Sequence, residues 1–190
     1  DPPGNDVNTL FNSSFDDSED EINGGSSANI LAGVAVKSNN AAAEQGVWQY
    51  KDGGSWTDLP LVSVSEAFVL AIGSLVRFLP VSNWNGAPGS LVAHLIDDYD
   101  GPVTTGGDPV NVSPGNVGDP TVYSVGTVTL GTQVNAVNDA PVVTDNNTTL
   151  GFIEEDNADP PGSYVGTLFG SSFDDSEDDS EGSSANILAG

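Results

Sequence analysis

Phe15-Asp16-Asp17-Ser18-Glu19-Asp20 sits behind Thr9-Leu10-Phe11 and ahead of Ser26-Ser27-Ala28-Asn29-Ile30-Leu31-Ala32-Gly33, and the whole passage is written twice. It returns as Phe173-Asp174-Asp175-Ser176-Glu177-Asp178, with Thr167-Leu168-Phe169 before it and Ser183-Ser184-Ala185-Asn186-Ile187-Leu188-Ala189-Gly190 after it. The copies open on Asp1-Pro2-Pro3-Gly4 and Asp159-Pro160-Pro161-Gly162, an offset of 158 that falls to 157 at Gly33 and Gly190. The second copy has therefore lost one residue behind its carboxylates. Self-similarity at a fixed period marks an array of units. Here the period is a whole domain, so the 190 residues are read as about 1.2 units of a tandem array with its frame off the natural boundary.

Outward from the repeat, the chain reads as short strands. Residues 7–11 and 30–36 are expected strands, and residues 39–44 one helical turn. Val47-Trp48-Gln49-Tyr50 and Trp56-Thr57-Asp58-Leu59 flank Asp52-Gly53-Gly54, the pattern of a hairpin. Residues 67–72 and 75–79 around Gly73-Ser74 suggest a second hairpin, and residues 91–96 a further strand. The Gly- and Pro-rich stretch 104–120 is expected to be a long exposed loop, and residues 122–130 and 133–137 to be half-buried strands. Short strands at this spacing, with almost no helical period, predict an all-β, Greek-key β-sandwich. The expected boundaries are a body at 1–139 that lacks its first strand and the start of the next repeat at 140–190. Residues 140–157 are expected to complete the 1–139 fold or to pair with a neighbouring molecule, as in a domain-swapped dimer.

Charge narrows the partners. A net charge of −25, from 28 carboxylates against three cations, disfavours nucleic acid and anionic membranes, because both need cations to displace their counterions. No apolar run approaches the roughly 20 residues of a membrane helix, so membrane insertion is not expected. The chain has no cysteine, and disulfides are not available to stiffen it.

Eighteen of the 28 carboxylates fall in four stretches: residues 16–21, 97–100, 154–159 and 174–181. Two unit charges about 5 Å apart repel by roughly 0.8 kcal/mol even in water. A folded loop with five such groups in six residues is therefore costly unless a cation sits among them. Calcium (Ca2+) suits this best, since it takes six to eight oxygens in flexible geometry. Zinc is disfavoured, because His94 is the sole histidine. The alternative is that the loops are simply solvated.

Val134-Asn135-Ala136-Val137-Asn138-Asp139-Ala140-Pro141-Val142 resembles the calcium-binding linker between cadherin repeats. Phe152-Ile153-Glu154-Glu155-Asp156 resembles the first-strand glutamate motif, and Val165-Gly166-Thr167-Leu168 with the acidic loop behind it resembles the Gly-Thr strand and Asp-x-Asp loop. The whole unit is similar to the cadherin-like (Ig-like) repeats of very large bacterial surface proteins, including RTX-type adhesins. The resemblance implies Asn138 and Asp139 as linker ligands, Glu155 as the first-strand ligand, and Asp175 with Glu177 as the loop pair. Asp17 and Glu19 would be that pair in the first copy, and Asp97 or Asp98 the acidic end of a later strand. The sequence departs from the family in having Asp-x-Glu for Asp-x-Asp, in placing Ala140 where animal cadherins have a second Asn, and in lacking glycine-rich nonapeptide calcium repeats.

The resulting expectation is a calcium-rigidified extender repeat of a bacterial cell-surface adhesin, extracellular, supporting adhesion or biofilm indirectly, with neighbouring repeats as its partners. The alternative is a calcium-dependent module that binds carbohydrate or a like domain on another cell. Trp48, Trp56 and Trp84 are its candidate polysaccharide-stacking residues, although aromatics in a hairpin usually belong to the core. His94 is expected to be structural. No enzyme is expected, because no nucleophile–His–acid set can be assembled and acidic clusters this dense look like metal sites rather than a glycosidase pair.

Overall fold

A computed structural model describes residues 2–21, 25, 27–178 and 185–189; Asp179 and Glu181 of the fourth acidic stretch lie outside the described residues. The chain divides into two compact units. Asp1–Val81 with Ala87–Val134 forms the first, and Ser82–Gly86 with Asn135–Gly190 forms the second. The fold is all-β, with antiparallel sheets and a few very short helices.

In the first unit the expected hairpin forms. Strand β3 (Gly46–Lys51) pairs with β4 (Thr57–Asp58), with Gln49 opposite Asp58 and Tyr50 opposite Thr57. Strand β6 (Leu75–Pro80) lines the other side of β3, and β1 (Asn5–Asp6) closes a four-stranded sheet in the order β1-β6-β3-β4. A second antiparallel sheet has the order β5-β2-β7-β8, from β2 (Leu31–Asn39), β5 (Phe68–Ala71), β7 (Leu91–Asp97) and β8 (Val128–Leu130). Tyr50 of the first sheet packs on Phe68 of the second, ring centroids 4.9 Å apart.

The residues expected to form a second hairpin belong to different sheets: β5 pairs with β2, while β6 pairs with β3 and β1. The intervening corner is held from within. Ser74 is fully buried, its N–H donates to the Ala71 carbonyl (2.9 Å), and its hydroxyl meets that of Thr105, which also accepts from the Ala71 N–H (2.9 Å).

The stretch expected as a strand at 7–11 is a single helical turn, α1 (Val7–Phe11). Asp6 overrides the β-type pattern by capping it: its carboxylate accepts from the Thr9 N–H (2.8 Å) and hydroxyl (2.7 Å). These bonds hold the Asp6 carboxyl below the usual carboxylate range. The turn docks on the sheet-crossing corner, where Val7 N–H donates to the Ser74 carbonyl (3.0 Å) and Asn8 N–H to that of Ile72 (3.2 Å). Val7 and Phe11 are buried there.

The stretch 104–120 is a loop, exposed over most of its length as expected, but it is anchored to the sheet at a few positions. Ala67 and Val110 exchange both backbone hydrogen bonds (2.8 and 3.0 Å), Val112 N–H donates to the Val64 carbonyl (2.7 Å), and Val112 is only 2% exposed. Ala35, Ala67, Val69, Ile96 and Val112 form a buried cluster flanked by Val103, Val110, Val117, Val122 and Tyr123. Regularly placed valines thus let an irregular segment cover a sheet face. This explains why β2 is buried without alternation over its first six residues, on both its faces.

The expected strand at 122–130 shrinks to β8 and a bridge between Tyr123 and Ile96. Between them the Ser124 hydroxyl takes over a ladder position, accepting from Leu95 N–H (2.9 Å) and donating to the Gly126 carbonyl (2.8 Å). Residues 133–137 form no strand beyond a single bridge residue at Val134, and Val137 is exposed.

In the second unit, β9 (Val142–Val143) pairs with β10 (Phe173–Asp174), and α2 (Val165–Phe169) lies between them in the chain. Among the described residues, no helix is long and apolar enough to cross a membrane.

Candidate metal-binding loops

The two acidic loops share one local design. In each, a helical turn (α1 or α2) runs into a 3-10 turn (Asn12–Ser14 or Gly170–Ser172), an extended Phe-Asp pair, and a second 3-10 turn (Ser18–Asp20 or Ser176–Asp178). The first aspartate folds back on its own turn: Asp16 accepts from Ser18 N–H and Asp174 from Ser176 N–H, both at 3.0 Å. Hydrogen bonds from these serines hold both carboxyls below the usual range. The second aspartate reaches across the loop. Asp17 accepts from Asn29 N–H and Asp175 from Asn186 N–H, both at 2.7 Å. A one-residue deletion between the copies leaves this closure unchanged.

What surrounds the loops differs. In the first unit the Asp98 carboxylate accepts from Ile30 N–H (2.8 Å), and its own N–H donates to the Ile30 carbonyl (3.0 Å), tying the end of β7 to the loop. Asp97 accepts from Tyr99 N–H (2.9 Å). Burial pushes the Asp97 carboxyl above its ordinary range; the Tyr99 bond opposes this, and the negative charges of Asp17, Asp98 and Asp100 add to the rise. A groove of about 540 Å³ runs beside these groups, lined among others by Phe15, Asp17, Leu95, Asp97 and Val122.

In the second unit the linker pair enters the loop. Asp139 N–H donates to the Asp178 carboxylate (2.8 Å); Asn186 donates its side-chain amide to the other Asp178 oxygen (3.0 Å) and to the Asn138 side-chain oxygen (3.3 Å). Asp175 and Asp178 are only 7% and 8% exposed.

Of the sequence-predicted ligands, Asn138, Asp139 and Asp175 come together, as do Asp17, Asp97 and Asp98. Glu19, Glu155 and Glu177 are exposed, and among the described residues no hydrogen bond draws them into either group. Among the described residues, no three or more His, Cys, Asp or Glu side chains converge closely enough to form a metal-holding group by themselves. The donors that do gather are carboxylate, amide and backbone oxygens, a hard set suited to a cation that tolerates mixed oxygen ligation. Asp178 and the Asn29/Asn186 pair were missed from sequence. Their signal was present in the repetition of Asp20 as Asp178 and of Ser-Ala-Asn-Ile behind each acidic run.

Of the candidate stacking tryptophans, Trp48 is withdrawn from the surface. Trp48 is buried, stacks edge-on against Phe78 (5.4 Å) and donates its ring N–H to the Gly89 carbonyl (2.8 Å). Trp56 is half-buried, with the Arg77 guanidinium 4.2 Å from its ring, and Trp84 is a half-buried residue of the second unit. His94 is buried, with Nδ1 2.6 Å from the Ser124 carbonyl oxygen.

No protein-family model, curated protein or solved structure matches this chain.

Because folding raises the proton affinity of Asp97, this carboxylate opposes folding at neutral pH, and the opposition fades as the pH falls into the ordinary carboxylate range. Asp97→Asn is therefore expected to raise Tm in metal-free buffer at pH 7 by about 1–2 °C after solvent screening. The gain should vanish near pH 3, as thermal melts across that range will show.

Proposed function

We infer that the chain is a calcium-stiffened structural repeat from the extracellular array of a bacterial surface adhesin, with its two four-stranded sheets forming a Greek-key, cadherin-like β-sandwich. One observation carries this reading: the linker pair Asn138 and Asp139 is bonded to the acidic loop through Asp178 and Asn186. The candidate ligands are Asp139, Asp175, Asp178 and the Asn138 side-chain oxygen in the second unit and Asp17, Asp97 and Asp98 in the first; because no three of these carboxylates converge by themselves among the described residues, they would have to draw together around the ion. Calcium would supply the positive charge that lets these oxygens stay close. The chain's part is to position them: Asn186 and Asn29 close the loops, and the 3-10 turns fix the carboxylates. A linker bonded to its loop in this way transmits stiffness from one repeat to the next.

Extracellular calcium modules bind at about 10⁻⁴ to 10⁻³ M. At 10 mM calcium each such site adds about 1.4–2.7 kcal/mol of stability. Melting in 10 mM calcium and in EDTA, with small-angle scattering under both conditions, is expected to show a higher Tm and a more extended particle with calcium. Identical melting and scattering curves would overturn the reading.

A further inference from the structure

Four places in the sequence put Asp or Asn directly before Gly: Asn23-Gly24, Asp52-Gly53, Asn85-Gly86 and Asp100-Gly101. Such pairs carry a reaction of their own. With no side chain on the second residue to hinder approach, its backbone nitrogen can attack the side-chain carbonyl carbon of the first and close a five-membered succinimide ring. In a folded chain three conditions decide whether it does so. The attacking N–H must be free of a hydrogen bond, the side chain must be free to swing, and the backbone around them must be uncrowded. Asn23 and Gly24 lie outside the described residues, and the fold treats the other three pairs differently.

Asn85 is only 7% exposed, which leaves its side chain no room to turn. At Asp100 the nitrogen is already engaged, because Gly101 N–H donates to the Asp98 carbonyl (2.8 Å). Asp52 meets neither restraint. It is exposed in the connection between β3 and β4, with Gly53 and Gly54 exposed beside it. The bond that shapes this turn runs from Gly54 N–H to the Asp52 carbonyl (2.8 Å) and leaves the Gly53 nitrogen alone. Among the described residues, no hydrogen bond or ion pair engages the Gly53 N–H or the Asp52 carboxylate. A Cβ placed on Gly53 or Gly54 would meet no atom within 4 Å, so the tip stands clear of the rest of the fold.

We propose that Asp52-Gly53 is a self-modifying site, at which Asp52 converts to isoaspartate in the native protein. The Gly53 nitrogen bonds to Cγ of Asp52 and gives up its proton, and a carboxyl oxygen of Asp52 leaves as water. A water molecule then adds back to the ring. Opening at the Asp52 α-carbonyl leaves the chain running through Cγ with a new α-carboxylate; opening at Cγ restores aspartate. Water lost in the first step is regained in the second, so the conversion needs no oxidant and no cofactor. It lengthens the backbone by one methylene at a free tip, and the pairings on either side, Tyr50 with Thr57 and Lys51 with Leu75, keep their register. The product makes position 52 an acceptor for carboxyl methylation by a transferase that uses S-adenosylmethionine and recognises isoaspartate.

The full-length native chain is aged at 37 °C and pH 6 beside a sample unfolded in guanidinium chloride. Isoaspartate is counted by enzymatic methylation and located by electron-transfer fragmentation. Folding is expected to slow its formation at Asp52 less than threefold, and at Asp100 and Asn85 more than tenfold. Asp52→Glu, which would need a six-membered ring, is expected to remove the signal from this turn with Tm unchanged, as befits an exposed position. The proposal is overturned if folding slows Asp52 as much as it slows Asp100, or if the native chain ages as fast at Asp100 or Asn85 as at Asp52. The comparison of native and unfolded wild type does not depend on any variant folding.

Discussion

Phe11→Ala is expected to cost about 3–5 kcal/mol, while Phe169→Ala, the same residue in the second copy, changes stability by less than about 1 kcal/mol. Phe11 is 5% exposed and Phe169 47% exposed, although Thr-Leu-Phe is written identically in both places. The difference goes with the sheet-crossing corner of Ile72 and Ser74, which receives the backbone of α1 through Val7 and Asn8 and has no counterpart described for α2. The second helix also has a weaker start. Tyr164 makes no side-chain cap where Asp6 caps α1, and glycine replaces asparagine at 166 and 170. Urea denaturation followed by tryptophan fluorescence will measure both variants, through Trp48 and Trp56 of the first unit for Phe11→Ala and through Trp84 of the second for Phe169→Ala. Equal losses would show that sequence identity, not the corner, sets the energetics.

The second large effect is expected at Gly89. A Cβ there would run into the backbone carbonyl group of Asn40 and lie 2.5 Å from the Ala41 nitrogen. These are main-chain atoms and cannot rotate away. The same residue anchors two neighbours: its N–H donates to the Gln45 side-chain oxygen (3.0 Å), which also accepts from Ala42 N–H (2.9 Å), and its carbonyl accepts from the Trp48 ring (2.8 Å). Gly89→Ala must push the 40–42 segment outward and strain all of these bonds, so the expected cost is about 3 kcal/mol, with loosened packing of Trp48 on Phe78. A loss below about 1 kcal/mol in the same urea experiment would mean that the segment yields freely.

The sequence was legible where chemistry is local. The Asp52-Gly53-Gly54 turn between two aromatic runs folds as the hairpin it spells, and the duplicated acidic text produces duplicated loops down to the bonds from Asn29 and Asn186. It was not legible where a choice between partners is made at a distance. Residues 67–72 and 75–79 have the pattern of a hairpin, and nothing local says that Ser74 will be buried and send the chain to the other sheet. Val7 to Phe11 in isolation favours a strand; one carboxylate at Asp6 and two acceptors on the corner make it a helical turn. Among the candidate ligands, aspartates that follow directly on folded strands and turns were placed together, whereas Glu19, Glu155 and Glu177, on longer side chains at exposed positions, were not.

The irregular segment over the outer face of the second sheet alters how damage to this molecule would unfold. Glycine- and proline-rich surface stretches are ordinarily where proteases nick a domain at little cost and where engineers shorten or graft. Here Val110 and Val112 anchor such a stretch to Ala67 and Val64, with Ala35 and Ile96 beneath it. A cut between them would strip a wall from the interior and wet two strands at once, so resistance to digestion in this part of the chain is a property of the core.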